Sequence, residues 1–180
     1  MNYQVRTKPF IDNFFNVDNY YTIIIDKNKY NTLLYKKKTV QPNLINYVET
    51  EIVKNKIKYK DSNIYLDEND INIFSILYLI ANNEKEIISS IKQIEREGKY
   101  YDFSFLNENN SYELMINEKN IQNKGLIEHT DIFLWGLFLP KTSNYILVND
   151  SGYIEKCTFK RGLLTINAKI DIENKKVLLK

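Results

Sequence analysis

The chain has 180 residues, 43% of them apolar, a net charge of +2, one histidine (His129) and one cysteine (Cys157). With one copy each of the two side chains that most often do nucleophilic, redox and transition-metal chemistry, a four-ligand cysteine/histidine zinc site, a disulfide framework, a CxxC redox pair and a haem-attachment motif are all excluded. The 22 lysines against three arginines match the bias of an AT-rich genome, and so few arginines argue against a specific nucleic-acid reader.

From the N-terminus, Tyr20 to Ile25 is β-branched and aromatic, Asp26-Lys27-Asn28-Lys29 supplies turn chemistry, and Tyr30 to Leu34 closes a predicted hairpin. After Pro42, the apolar positions Leu44, Ile45, Val48, Ile52 and Val53 follow the spacing of one helical face, which predicts a helix over 42–54. Lys56 to Lys60 then alternates strictly and, with Asp61-Ser62-Asn63 and Ile64 to Leu66, reads as a second hairpin. Carboxylates in Asp67 to Asp70 precede Ile71, Ile73, Phe74, Ile76, Leu77, Leu79 and Ile80, which predicts a central buried helix. Ile87, Ile88, Ile91 and Ile94 form one stripe of a further predicted helix over 84–97, with Gly98 placed to end it. Tyr100 to Leu106 and Ser111 to Ile116 flank Asn107 to Asn110 as another hairpin. Asp131 to Leu139 is helix or buried strand. The remainder reads as a meander: Tyr145 to Val148, Tyr153 to Phe159, Leu163 to Ile172 and a closing strand at Val177 to Leu179. The expected fold class is α+β, a single domain over 1–180 with two or three central helices packed on antiparallel hairpins and a C-terminal β meander.

The start, Asn2-Tyr3-Gln4 after Met1, has no charged and apolar leader pattern, and the single thiol fits a reducing compartment. The longest apolar stretch, Ile71 to Ala81, is short of the roughly 20 residues that span a bilayer. These features predict an intracellular chain in the cytoplasm of a bacterial or virus-infected host cell, without a membrane association.

Charge is segregated along the chain: +6 in residues 1–60, −7 in 61–120 and +3 in 121–180. The layout can steer a partner or simply hold segments of one domain together. Within the basic third, Lys36-Lys37-Lys38 beside Tyr35, with Lys54, Lys56, Lys58 and Lys60, interleaves lysine with tyrosine. Such a pattern can stack on bases and contact phosphates, and it equally serves as a solvated strand face. Tyrosine supplies contact area at low entropic cost, and the pairs Tyr20-Tyr21 and Tyr100-Tyr101 place one ring on each face of a strand. Tyr20, Tyr35, Lys36, Lys37, Lys38, Tyr100 and Tyr101 are therefore the candidate binding residues.

Catalytic constellations are sparse. In Glu128-His129-Thr130-Asp131 the histidine sits between two carboxylates, so Glu128, His129 and Asp131 are the candidate catalytic set if the chain is an enzyme; Thr130 or Asp131 as a helix cap is the competing reading. Asp150 followed by Glu173-Asn174-Lys175 loosely resembles the acid, then acid-x-lysine layout of the PD-(D/E)xK nuclease family, a resemblance that implies a divalent-metal nuclease or phosphodiesterase using Asp150, Glu173 and Lys175. Leu139-Pro140 with Tyr145, Leu147, Asn149 and Gly152 resembles a run in SUKH-type bacterial immunity proteins, and nothing is carried over from so short a stretch. No glycine-rich phosphate loop, calcium loop or GxSxG elbow is present, so no metal ligands are assigned and no cofactor is expected.

The leading expectation is a small binding protein that acts by occupying another macromolecule, of the inhibitor or immunity kind: neutralising a toxin, or blocking a host defence protein on behalf of a virus or mobile element. Another protein is the expected partner. A metal-dependent nuclease or phosphodiesterase is the alternative, and nucleic acid bound through the basic N-terminal third is the second alternative.

Overall fold

The computed structural model describes residues 1–7, 16–118, 131–138, 142–149, 153–161 and 164–169. Two antiparallel sheets make up most of it. The first holds β1 (Asn2–Arg6), β2 (Asp18–Ile25), β3 (Thr32–Gln41), β4 (Leu44–Val53) and β5 (Lys56–Tyr59), with neighbours in space following chain order. The second runs in the same manner through β6 (Gln93–Arg96), β7 (Lys99–Glu108), β8 (Ser111–Glu118), β9 (Ser143–Val148), β10 (Ile154–Arg161) and β11 (Leu164–Lys169). Among the described residues three short helices accompany them: α1 (Ile73–Ala81) and α2 (Lys85–Ser90) between the sheets in sequence, and α3 (Ile132–Phe138) between β8 and β9.

The α+β expectation is overturned. Among the described residues 56% lie in strands and 16% in helices, a mainly β architecture, and two segments account for the change. The segment expected as a helix over 42–54 is β4, entered through a two-residue turn in which Pro42 is followed by Asn43 at φ 60°. Proline then a left-handed residue is the pattern of a type II turn joining two strands, and it outweighs an apolar spacing that fits a helix equally well. The expected helix over 84–97 stops at Ser90; Gln93–Arg96 turns away as β6, and Glu97-Gly98, at φ 49° and 85°, forms the tight turn to β7 rather than a helix cap. Successive left-handed residues match the right-handed twist of the flanking strands.

Helix α1 carries an almost unbroken apolar sequence and is buried on nearly every side, as a helix without a polar face must be. Phe74 packs its ring against Tyr3, Tyr21 and Tyr35 of the first sheet at centroid distances of 5.1, 5.0 and 6.3 Å, while the helix also contacts β6 and β10 of the second. Asn72 caps it: its side-chain oxygen accepts from the Ser75 N–H at 3.0 Å, and its amide donates to Thr32 Oγ1 at 2.7 Å. The two residues before the cap stitch the sheets together, because Thr32 N–H donates to the Asp70 carbonyl and Glu95 N–H to the Ile71 carbonyl. From the other side, Phe133 of α3 meets Tyr21 and Phe159, and Phe138 meets Tyr101 edge-on at 4.5 Å.

Hairpins expected at 20–34, 100–116 and 145–159 are present as β2–β3, β7–β8 and β9–β10. The expected strand at 177–179 lies outside the described residues. No described helix is long and apolar enough to cross a membrane.

Candidate functional site: an open sheet face over a buried ionic cluster

Strict alternation along β2, β3 and β4 sorts the tyrosines and lysines of the basic third onto two faces. Inward go Asn19, Tyr21, Ile23, Tyr35, Lys37, Thr39, Val48 and Thr50, all buried. Outward go Tyr20, Lys36, Lys38, Tyr47 and Glu49. Of the seven expected binding residues, Tyr20, Lys36 and Lys38 thus share one open face. Tyr35, Lys37 and Tyr101 are buried, and Tyr100 is half-buried, donating to Asp70 Oδ2 at 2.8 Å.

The outer face is organised in rows across the strands. One row reads Gln4, Tyr20, Lys38, Tyr47 in register. The Lys38 ammonium lies over the Tyr47 ring at 5.8 Å, and Tyr20 is fixed by donating to Asp18 Oδ2 at 2.8 Å and accepting from Gln4 at 2.9 Å. Apolar residues continue the face: Ile24, Ile45 and Tyr47 are 51%, 67% and 66% exposed. Three neighbouring lysines, by contrast, are matched by glutamates of β4. Lys36 meets Glu49 at 2.5 Å, Lys60 approaches the same carboxylate at 3.9 Å, and Lys58 meets Glu51 at 3.0 Å. Lys36 and Lys60 hold the Glu49 carboxyl below its ordinary value, chiefly through the Lys36 hydrogen bond.

Beneath this face lies a cluster that the sequence did not announce. Lys37, with no side-chain exposure, forms an ion pair with Glu97 from the β6–β7 turn, and its ammonium is 3.9 Å from Asp131 Oδ2. Tyr35 donates to Glu97 Oε1 at 3.0 Å. Asp131 accepts from Tyr21 at 2.7 Å, from Asn19 at 3.1 Å, and from the Phe133 and Leu134 N–H groups at 3.1 and 3.2 Å, so it is the cap of α3. Beside it, Glu95 accepts from Tyr59 at 2.8 Å and from the Gly98 N–H at 2.6 Å. Burial pushes the Glu95 carboxyl up to about 8, and burial, reinforced by neighbouring carboxylates, pushes the phenols of Tyr21, Tyr35 and Tyr59 well above their ordinary value. The adjoining cavity, lined in part by Tyr35, Tyr59, Glu95 and Glu97, is about 10 Å³, room for one water.

Of the expected catalytic set, Asp131 is engaged as a helix cap and in the ionic cluster, while Glu128 and His129 lie outside the described residues. Asp150, Glu173 and Lys175 lie outside them too. Among the described residues no group of three His, Cys, Asp or Glu side chains is placed to hold a metal ion. The signal that could have found Lys37 is the period-two rule itself, because Tyr35 and Lys37 share a face and Lys36 and Lys38 the other. Nothing local marks Glu95 and Glu97 as buried.

No protein-family model matches the chain, and no curated protein or solved structure matches it significantly.

Proposed function

We propose that the chain is a stoichiometric binding protein, of the inhibitor or immunity type, acting inside the cell through the outer face of its first sheet. The observation that supports this reading is the in-register row of Tyr20, Lys38 and Tyr47 with Ile45 beside it: amphipathic rings and an aliphatic side chain held on a rigid sheet, well exposed to solvent. Aromatic residues on a pre-ordered surface are the usual anchors of protein interfaces, since they bury much area while losing little side-chain freedom. Toxin neutralisation and blockade of a defence protein are two settings in which such occupation is itself the activity.

An enzymatic reading draws less from the described residues. The carboxylates that do converge, Glu95, Glu97 and Asp131, spend their lone pairs on tyrosines, backbone N–H groups and Lys37 around a cavity of one-water size, whereas a substrate site needs polar groups free to meet a ligand.

The test is affinity capture from the native host with the wild-type chain and with Tyr47→Ser and Tyr20→Ser variants, each checked for an unchanged unfolding midpoint. A single stoichiometric protein held by the wild type at moderate salt and lost by the folded variants supports the proposal. Equal capture by all three chains, or no stoichiometric protein, overturns it.

A further inference from the structure

Resting on the reading of this face as a binding surface, we infer that its partner is a protein that presents a carboxylate to Lys38, seated between the rings of Tyr20 and Tyr47 and bordered by apolar side chains that cover Ile45. The argument is one of charge complementarity within a single face. Lys36, Lys58 and Lys60 each have a glutamate of β4 within ion-pair distance. Lys38 has no carboxylate among the described residues; its one contact of this kind is the face of the Tyr47 ring. Lys56, on the edge strand β5, is exposed as well, but Lys38 is the one that stands in register between two tyrosine rings, and there an incoming anion gains a cation that no glutamate has already neutralised.

The surroundings select the kind of anion. Tyr20 and Tyr47 sit one strand to either side of Lys38, a separation of roughly 10 Å at the normal strand spacing. A carboxylate lowered between them is shielded from water by both rings, which strengthens its attraction to the ammonium. A phosphate backbone is a poorer fit. Nucleic-acid affinity comes from releasing counterions at a run of unpaired cations, and here Glu49 and Glu51 already pair with Lys36, Lys58 and Lys60 and would repel successive phosphates.

The experiment uses the full chain and the protein it captures, purified, with affinities measured by calorimetry for the wild type, Lys38→Gln, Lys38→Arg and, as a control away from the first sheet, Lys92→Gln. The expected result is a weakening of about 30-fold or more for Lys38→Gln, the range for losing one partner of a shielded charge pair, with Lys38→Arg retaining most of the affinity and Lys92→Gln nearly all of it. Crosslinking should place an Asp or Glu of the partner at this row, and replacing that residue with Lys should restore binding to Lys38→Glu. A partner whose affinity ignores Lys38→Gln but falls with Tyr47→Ser overturns the carboxylate inference while leaving the binding-surface reading standing. If the capture experiment returns no stoichiometric protein, both fall. Two other occupants overturn it as well: nucleic acid in the captured material that is removed by nuclease and lost steeply with salt, or a Lys38-dependent dimer of the chain itself in sedimentation.

Discussion

Lys37 on β3 and Glu97 at the β6–β7 turn, sixty positions apart in the chain, form an ion pair that joins the two sheets with both side chains almost entirely out of water. Charges removed from water cost several kcal/mol apiece unless they meet each other, so the pair constrains the way the sheets fit together more than it adds to stability.

Removing one member should therefore be far worse than removing both. Lys37→Met is expected to lower the unfolding free energy by about 3–5 kcal/mol in urea titration, because it leaves the Glu97 charge buried alone, while Lys37→Met combined with Glu97→Leu should recover most of that loss. A double variant no more stable than Lys37→Met would show that the pair contributes net stability after all.

The three consecutive lysines should behave as two kinds of residue. Lys36→Met and Lys38→Met are expected to change stability by no more than about 0.5 kcal/mol, as exposed substitutions do, against the several kcal/mol at Lys37. Thermal melts of the three single variants under one buffer decide this directly.

Glu95 makes stability depend on pH in a recognisable window. Burial raises its folded value to about 8 from an ordinary 4.5, so between those limits the unfolded chain has released a proton that the folded chain still holds. Stability must then fall as pH rises through that window, by about 1.4 kcal/mol for each unit separating the two values, and the contribution is flat above and below it. Glu95→Gln keeps an oxygen for Tyr59 and Gly98 and cannot ionise. The difference between variant and parent should grow in the variant's favour from pH 5 to pH 8; a difference independent of pH would show that the carboxyl titrates normally.

Cys157 is 7% exposed, and burial pushes its thiol up to about 12. Since the thiolate is the reacting form, the folded chain should resist a thiol reagent at neutral pH and react with one equivalent once denatured. Prompt labelling of the native protein would contradict the packing of β10.

Much of this fold was legible in the sequence wherever alternation and turn residues agreed, as at Tyr20 to Leu34 and Tyr100 to Ile116. It was illegible where one apolar pattern served two periods. Leu44, Ile45, Val48, Ile52 and Val53 satisfy a helical spacing, yet β4 uses Val48 inward and leaves Ile45 and Ile52 exposed; a strand with apolar residues on both faces has lost the alternation that identifies it. Ile94 falls on an apparent helical stripe with Ile87, Ile88 and Ile91, and no local pattern marks Glu95 and Glu97 beside it as buried. That they are buried depends on Tyr59, Tyr35 and Lys37, which arrive from a distant part of the chain and leave no local trace. Of the site, Asp131 as a helix cap was among the readings the sequence supported, and Tyr20, Lys36 and Lys38 were singled out. Tyr47, on the strand misread as a helix, was not.

Strand order that follows chain order has a consequence for synthesis. The first sheet can pair its five strands as residues 1–59 emerge from the ribosome, one hairpin after another. Its inner face cannot close at that stage, because Lys37 has no counter-charge until Glu97 has been made and Tyr21 no acceptor until Asp131 follows. The nascent first sheet is thus held open for α1 and the second sheet, and the charge that would be most costly to bury early is the one that makes it wait.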